Sequence, residues 1–320
     1  GLGINPHYGT PSNNWQRDAS RVPGGSSSGA AVSITDSMAM AALGSDTGGS
    51  CRIPAAFCGI VGWKPTARRV PLDGVVPLSF SLDSVGCLAG SVDDCAIIDN
   101  VIAGALPEEP VDSVALSRMT IAVPDQVVLD NMDKEVSTAF SRALSVLSRQ
   151  GVSVQTISLP EIAEIAPMSA KGGFPAAESY AWHRDLLARR GDDYDQRVRV
   201  RIERGATQDA ADYINMVNAR ADAIRRLRQK ISGIDALVMP TAPMVAPLIS
   251  ELERDEDFAR LNILALRNPT IANFFDMCSI SLPIHEPDAA PVGLMLIGGH
   301  GNDRQLLQIG KTLEALFRAR

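Results

Sequence analysis

The 320-residue chain lacks most of the marks by which a sequence announces a membrane, a metal or a nucleic acid. No stretch approaches 18 uninterrupted apolar residues, which argues against a transmembrane helix. Basic charge is in deficit: 30 Lys and Arg against 37 Asp and Glu leave a net charge of −7, the wrong sign for a nucleic-acid footprint. Its one basic cluster, Arg225-Arg226-Leu227-Arg228-Gln229-Lys230, reads as the solvated end of a long helix, where cations suit the C-terminal dipole. The five cysteines (Cys51, Cys58, Cys87, Cys95, Cys278) are odd in number and contain no CxxC pair. That excludes a disulfide framework and favours free thiols in a reducing compartment. Four scattered histidines (His7, His183, His285, His300) form no HExxH, so no metal site is expected. There is no internal repeat and no long linker. The opening Gly1-Leu2-Gly3-Ile4-Asn5-Pro6 has no initiator Met, basic n-region or apolar h-region, so it is no signal peptide and reads as chain entered in the middle.

What is present is enough apolar content, 45%, to bury a substantial core. Strand-like and helix-like patterns alternate, which predicts an α/β fold with a central mixed, largely parallel sheet flanked by helices. Strands are expected at 60–63, 119–123, 152–159, 234–239, 280–283 and 292–297, with a short apolar run at 38–43. Brief helix is expected at 53–57, then a helix over 92–103 capped by Ser91, with Asp93 and Asp94 in its first turn. Val136, Phe140, Leu144 and Leu147 have helical spacing within 133–150, with Gly151 as the stop. Residues 175–232 read as a helical layer broken at Gly191 and Gly205, and the chain closes on an amphipathic helix carrying Leu306, Leu307, Ile309, Leu313 and Leu316. One domain over 1–320 is the expectation.

The most informative stretch is Gly44-Ser45-Asp46-Thr47-Gly48-Gly49-Ser50-Cys51-Arg52-Ile53-Pro54. It sets Ser50 behind two glycines at the start of a helix, 24 residues after Ser26 in the cluster Gly24-Gly25-Ser26-Ser27-Ser28-Gly29. Glycines let backbone N–H groups turn inward, and a helix start adds unpaired donors. A nucleophilic serine beside its own oxyanion hole is the chemistry this predicts. Gly25-Ser26-Ser27-Ser28-Gly29 also fits GxSxG, with His285 or His300 as partner in an α/β-hydrolase-like esterase. Against it, the preceding Gln16–Pro23 is charged and ends in proline, which is poor material for the strand a nucleophile elbow needs. Cys51 is a competing nucleophile, and Cys58 reads as core.

At this point the chain resembles the amidase signature family. The Gly/Ser cluster, then Gly44 to Gly59 (GSDTGGSCRIPAAFCG), then Gly62-Trp63-Lys64-Pro65-Thr66 match that signature over more than forty residues, about 24–66. Weaker likeness continues through Asp235–Thr241, Ser279–Pro283 and Pro291–Gly298, and around Tyr180–Arg184 it points to bacterial amidases related to the glutamine-amidase A subunit of tRNA-dependent amidotransferases. The resemblance implies a Ser–Ser–Lys triad. Ser50 would be the nucleophile, Ser26 the bridging serine held by a cis peptide, and a neutral lysine the base. The oxyanion donors would be N–H groups of Thr47, Gly48, Gly49 and Ser50. Asp46 and Arg52 would form a structural ion pair near the turn, with Ser27 beside them. Trp63, Asp276 and Cys278 are candidate substrate-lining residues from their places next to the family blocks. No cofactor is implied, and the partner would be a small-molecule amide in a bacterial cytoplasm. Neither nucleic acid nor membrane is expected, and the resemblance is compatible with a homodimer. The glutaminase A subunit, which would need partner subunits, and an inactive relative serving as a binding module are the alternatives.

The family lysine would precede Ser26 by many tens of residues, and no lysine lies there. Lys64, Lys134, Lys171, Lys230 and Lys311 are the five present. A base of this kind needs its pKa lowered from about 10.4 to roughly 7–8, which is roughly 3–5 kcal/mol and takes burial or a neighbouring cation. Lys64 is expected to cap a strand end instead. The expectation is therefore a chain lacking its N-terminal part and without measurable turnover as written.

Overall fold

The structure, a computed structural model, describes residues 1–105 and 111–318. Eight strands form one sheet: β1 (Ala41–Ser45), β2 (Val61–Lys64), β3 (Val85–Ala89), β4 (Thr120–Pro124), β5 (Ser153–Ile157), β6 (Ala236–Pro240), β7 (Cys278–Pro283) and β8 (Gly293–Gly298), in the order β1-β3-β2-β7-β8-β6-β4-β5. The helices around it are α1 (Ser28–Thr35), α2 (Arg52–Cys58), α3 (Val92–Ile102), α4 (Lys134–Arg149), α5 (Ile165–Met168), α6 (Gly173–Arg190), α7 (Gln196–Glu203), α8 (Ala210–Lys230), α9 (Asp255–Leu266), α10 (Thr270–Phe274) and α11 (Asp303–Arg318).

The sheet is mixed and helix-flanked, as the alternating pattern predicts, but it is not largely parallel. Only β4 with β5 and β4 with β6 run parallel; β1–β3, β2–β3, β2–β7, β6–β8 and β7–β8 are antiparallel. The reason lies in the connections. A parallel pair needs a crossover, which α4 supplies between β4 and β5. β2 to β3 and β7 to β8 are joined by loops alone, and a loop returns the chain antiparallel.

Central strands are buried on both faces, and the period of two sorts their side chains into two cores. Leu294 and Leu296 of β8 join Ala236, Val238, Ile280 and Leu282 under α4 and α11. Met295 and Ile297 point the other way and join Leu237, Met239, Phe274 and Phe275 with Leu227 of α8. Each large apolar side chain among them contributes on the order of 1.5–3 kcal/mol by leaving water. Ser91 caps α3 as expected, its Oγ accepting the Asp94 N–H at 3.1 Å. α6 stops at Arg190, just before Gly191.

The element that matters for chemistry is α2, all seven of whose residues are buried. It lies on the sheet where two glycines remove side chains. A Cβ at Gly62 would stand 2.5 Å from the Cys51 carbonyl oxygen, and one at Gly293 would stand 2.6 Å from Ala56 Cβ. Real side chains cannot approach that closely, so the helix and the turn before it settle against bare backbone.

Candidate active site

The turn ahead of α2 is built around one carboxylate. Asp46 is fully buried and accepts from the N–H groups of Gly49 (2.8 Å) and Cys51 (3.0 Å), from Arg52 Nε (3.1 Å) and Nη2 (2.8 Å), and from Asn273 Nδ2 (3.0 Å). Burial pushes this carboxyl up. The Arg52 charge and hydrogen bonds, aided by Lys64 and Asn273, outweigh it and leave the pKa lowered to about 2. Arg52 is itself fully buried and also donates to the Pro269 carbonyl (2.9 Å) and Asn273 Oδ1 (2.7 Å). The Asp46–Arg52 pair is thus an internal brace, and its Gly49 bond forces a φ of +125° at a position where a Cβ would strike Pro269 at 2.5 Å.

Ser50 follows with 9% exposure, and its carbonyl accepts the Ser27 N–H at 3.2 Å. This bond brings the two serine clusters together. Ser26 is exposed, the Gly25–Ser26 peptide is cis, and the Ser26 carbonyl accepts the Ser28 N–H at 2.8 Å. Ser27 donates its hydroxyl to the Ser45 carbonyl at 3.3 Å. A Cβ at Gly44 would stand 2.6 Å from Ser27 Oγ and 2.8 Å from Cys51 Sγ, so Gly44 lets the loop and the turn close on each other. Of the four expected oxyanion donors, Gly49 is spent on Asp46. Among the described residues no protein acceptor meets the N–H groups of Thr47, Gly48 and Ser50. Thr47 is held through its side chain, donating Oγ1–H to Asp83 Oδ1 at 2.5 Å.

Three candidates for substrate contact are elsewhere engaged. Trp63 and Cys278 have no exposure and pack in the α4/α11 core; Trp63 Nε1 donates to Asp99 at 2.8 Å, and Cys278 Sγ donates to the Gly299 carbonyl. They sit in strands buried on both faces, so nearness in sequence to the signature does not bring them to its surface. Asp276 is 6% exposed and tied to Arg220 (2.6 Å) and Arg68 (3.2 Å). Cys51, the competing nucleophile, is also fully buried, and burial pushes its thiol well up, which disfavours the thiolate.

The GxSxG reading fails on geometry. No strand precedes Ser27, only a single bridge at Arg21, and among the described residues no histidine bonds to a serine of the cluster. His300 Nδ1 meets the Asp276 carbonyl at 2.8 Å, while the His285 ring lies against Gly59 at the far end of α2.

Lys64 departs from expectation in one respect. It caps carbonyls at the end of β2, donating to Pro65 (2.7 Å) and Met277 (2.9 Å), yet it is fully buried beside Arg52. Burial, with the Arg52 charge second, lowers its pKa to about 8. No hydrogen bond joins it to a serine among the described residues. Lys171, Lys230 and Lys311 are ion-paired at 2.7, 2.8 and 2.9 Å with Asp212, Glu161 and Asp93, and Lys134 is exposed.

Sequence reasoning missed Asn273 and Asp83. A lone asparagine inside Ile271-Ala272-Asn273-Phe274-Phe275 was the available signal, since a polar amide in an apolar run must find partners. Asp83 had a fainter one, the alternation Ser79-x-Ser81-x-Asp83. Among the described residues, no group of three or more His, Cys, Asp or Glu is arranged to hold a metal, and no helix is long and apolar enough to cross a membrane.

A family model described as Amidase matches residues 3–307. The 2-amino-5-chloromuconic acid deaminase of Comamonas testosteroni is 33% identical over 322 residues, covering 99% of this chain and 69% of that protein. The A subunit of the glutamyl-tRNA(Gln) amidotransferase of Thermotoga maritima is 31% identical over 329 residues, 93% of this chain and 68% of its own. Among solved structures, one described as an amidase superposes with a TM-score of 0.85 at 31% identity, covering 99% of this chain and 71% of that one. An allophanate hydrolase of Kluyveromyces lactis gives 0.87 at 26%, covering 99% and 52%.

Proposed function

The chain belongs to the amidase signature family, and from that membership we propose a serine amide hydrolase with Ser50 as nucleophile and Ser26 as proton relay. The observation that carries the reading is the Ser27 N–H to Ser50 carbonyl bond, which seats the Ser26 loop against a turn whose Thr47, Gly48 and Ser50 N–H groups are unspent. In this reading Ser50 Oγ attacks the amide carbonyl as its proton passes to the Ser26 oxygen and Ser26 gives its own hydroxyl proton to the amide nitrogen, since a serine hydroxyl both accepts and donates. The three N–H groups receive the charge that develops on the carbonyl oxygen, each worth roughly 10²–10³ in rate. The C–N bond breaks and the amine or ammonia leaves with that proton; water then attacks the acyl ester, its proton returns through Ser26 to Ser50 Oγ, and the acid departs. No step is assigned to Lys64, whose amine is held by two carbonyls. The substrate is a small carboxamide, and no cofactor takes part.

An activated aryl phosphonate tests this without relying on the full proton relay, because an oxyanion hole alone retains part of the catalysis. The expected result is one adduct by intact mass, mapped to Ser50, absent in Ser50→Ala and retained in Cys51→Ala. An adduct on Cys51 or Ser26, or none at all, rules the reading out.

A further inference from the structure

Between β2 and β3 the chain is a loop that turns on Ser79, whose carbonyl accepts the Leu82 and Asp83 N–H groups, and three large apolar side chains face water at every second position: Val76 (68% exposed), Leu78 (45%) and Phe80 (61%). We propose that this 76–80 segment is the specificity element of the site, and that Leu78 and Phe80, with Val76, bind an apolar substituent of the amide substrate. The proposal rests on the assignment of Ser50 as nucleophile.

The inward-facing neighbours show how firmly the segment is held. Asp83 accepts the N–H groups of Leu78 and Ser79 on Oδ2, both at 2.9 Å, while its Oδ1 takes the Thr47 hydroxyl. A single carboxylate therefore separates the Leu78 backbone from the turn that presents Ser50. On the other side Glu178 of α6, 5% exposed, accepts from Ser79 Oγ (2.5 Å), Ser81 N (3.0 Å), Ser81 Oγ (2.5 Å) and Tyr213 of α8 (2.6 Å). Burying two carboxylates is costly unless they are hydrogen-bonded, and here the three bonds to Asp83 and the four to Glu178 include five from one short loop segment. Core packing does not require this, because the segment's apolar side chains point away from the core. Fixing backbone geometry while leaving Val76, Leu78 and Phe80 in water is the arrangement of a preformed apolar contact surface. Its continuity with Thr47 selects the substrate as occupant over a separate protein partner.

The test compares labelling rates of the 320-residue protein with aryl methylphosphonate and aryl hexylphosphonate, read by intact mass. A hydrophobic contact of this size predicts that the hexyl reagent reacts at least about tenfold faster. Phe80→Ser and Leu78→Ser are expected to cut that preference to within about threefold. Ile214→Ser, which removes a similarly exposed apolar side chain from α8, leaves it unchanged. Labelling of Ser50 with no chain-length preference, or a preference that survives both loop variants, overturns this proposal alone. Failure to label Ser50 overturns the nucleophile assignment and this proposal with it.

Discussion

Replacing Asp46 with alanine removes the acceptor of five hydrogen bonds and leaves the Arg52 guanidinium buried without its counter-charge. Arg52 keeps neutral partners at the Pro269 carbonyl and Asn273 Oδ1, but neither neutralises it. Breaking one side of a buried ion pair costs about 3–5 kcal/mol, and the orphaned Gly49 and Cys51 N–H groups add to that. Protonation gives a smaller, independent measure of the same carboxylate. Its pKa is lowered to about 2 from 3.8, equivalent to about 2 kcal/mol. The folded value lies below the unfolded one, so this stability is present above about pH 4 and is lost as pH falls from there through about 2. Deletion must exceed protonation, because the protonated acid still fills the space and keeps most of its bonds. Urea denaturation followed by tryptophan fluorescence at pH 7 gives the costs, with an unchanged m-value marking a pure stability effect. Asp46→Ala is expected to lower stability by about 3–5 kcal/mol. The double variant with Arg52→Met should fall short of the summed single costs by about 2 kcal/mol or more. A cost below about 1 kcal/mol, or strict additivity, refutes the brace.

Lys64 is shifted in the same direction with the opposite consequence for its charge: its folded pKa, about 8, lies below the ordinary 10.5, so the protonated form is penalised in the native state. Wild-type stability should therefore rise relative to Lys64→Met between about pH 8 and 10.5, by about 3 kcal/mol in all; parallel pH profiles would refute it. Ser26→Ala is expected to slow phosphonate labelling of Ser50 by about 10²–10⁴, the range for lost acid–base help, without shifting the urea midpoint, since Ser26 is exposed. Gly86→Ala sets a Cβ 2.1 Å from the Trp63 carbonyl oxygen, a backbone contact that cannot yield, and should cost about 3 kcal/mol or more by thermal melt.

Much of the site was legible because its parts are local. Glycines at 44, 48 and 49, a carboxylate three residues before Gly49 and a serine before a short helix describe a turn that forms from its own hydrogen bonds. Ser91 as a cap, and the spacing of Val136, Phe140 and Leu147, work the same way. The substrate-lining guesses at Trp63, Asp276 and Cys278 did not, because burial and ion pairing depend on what crosses above and beside a strand. Asn273 reaches Asp46 from more than two hundred residues away in sequence, and Asp83 clamps Thr47 only once β3 has paired with β1.

By itself, then, the order of residues determined the two serine clusters, their spacing, the turn geometry and the placing of β2 and β4 to β8, since these follow from local backbone preference and from period, whereas β3 was not foreseen. Tertiary structure alone decided the antiparallel pairing, which rests on whether a loop or a helix joins two strands. It decided too that Gly49 spends its N–H on Asp46, and that Lys64 is buried beside a cation. Those outcomes depend on desolvation and on contacts between distant segments, and both come into being only when the sheet closes.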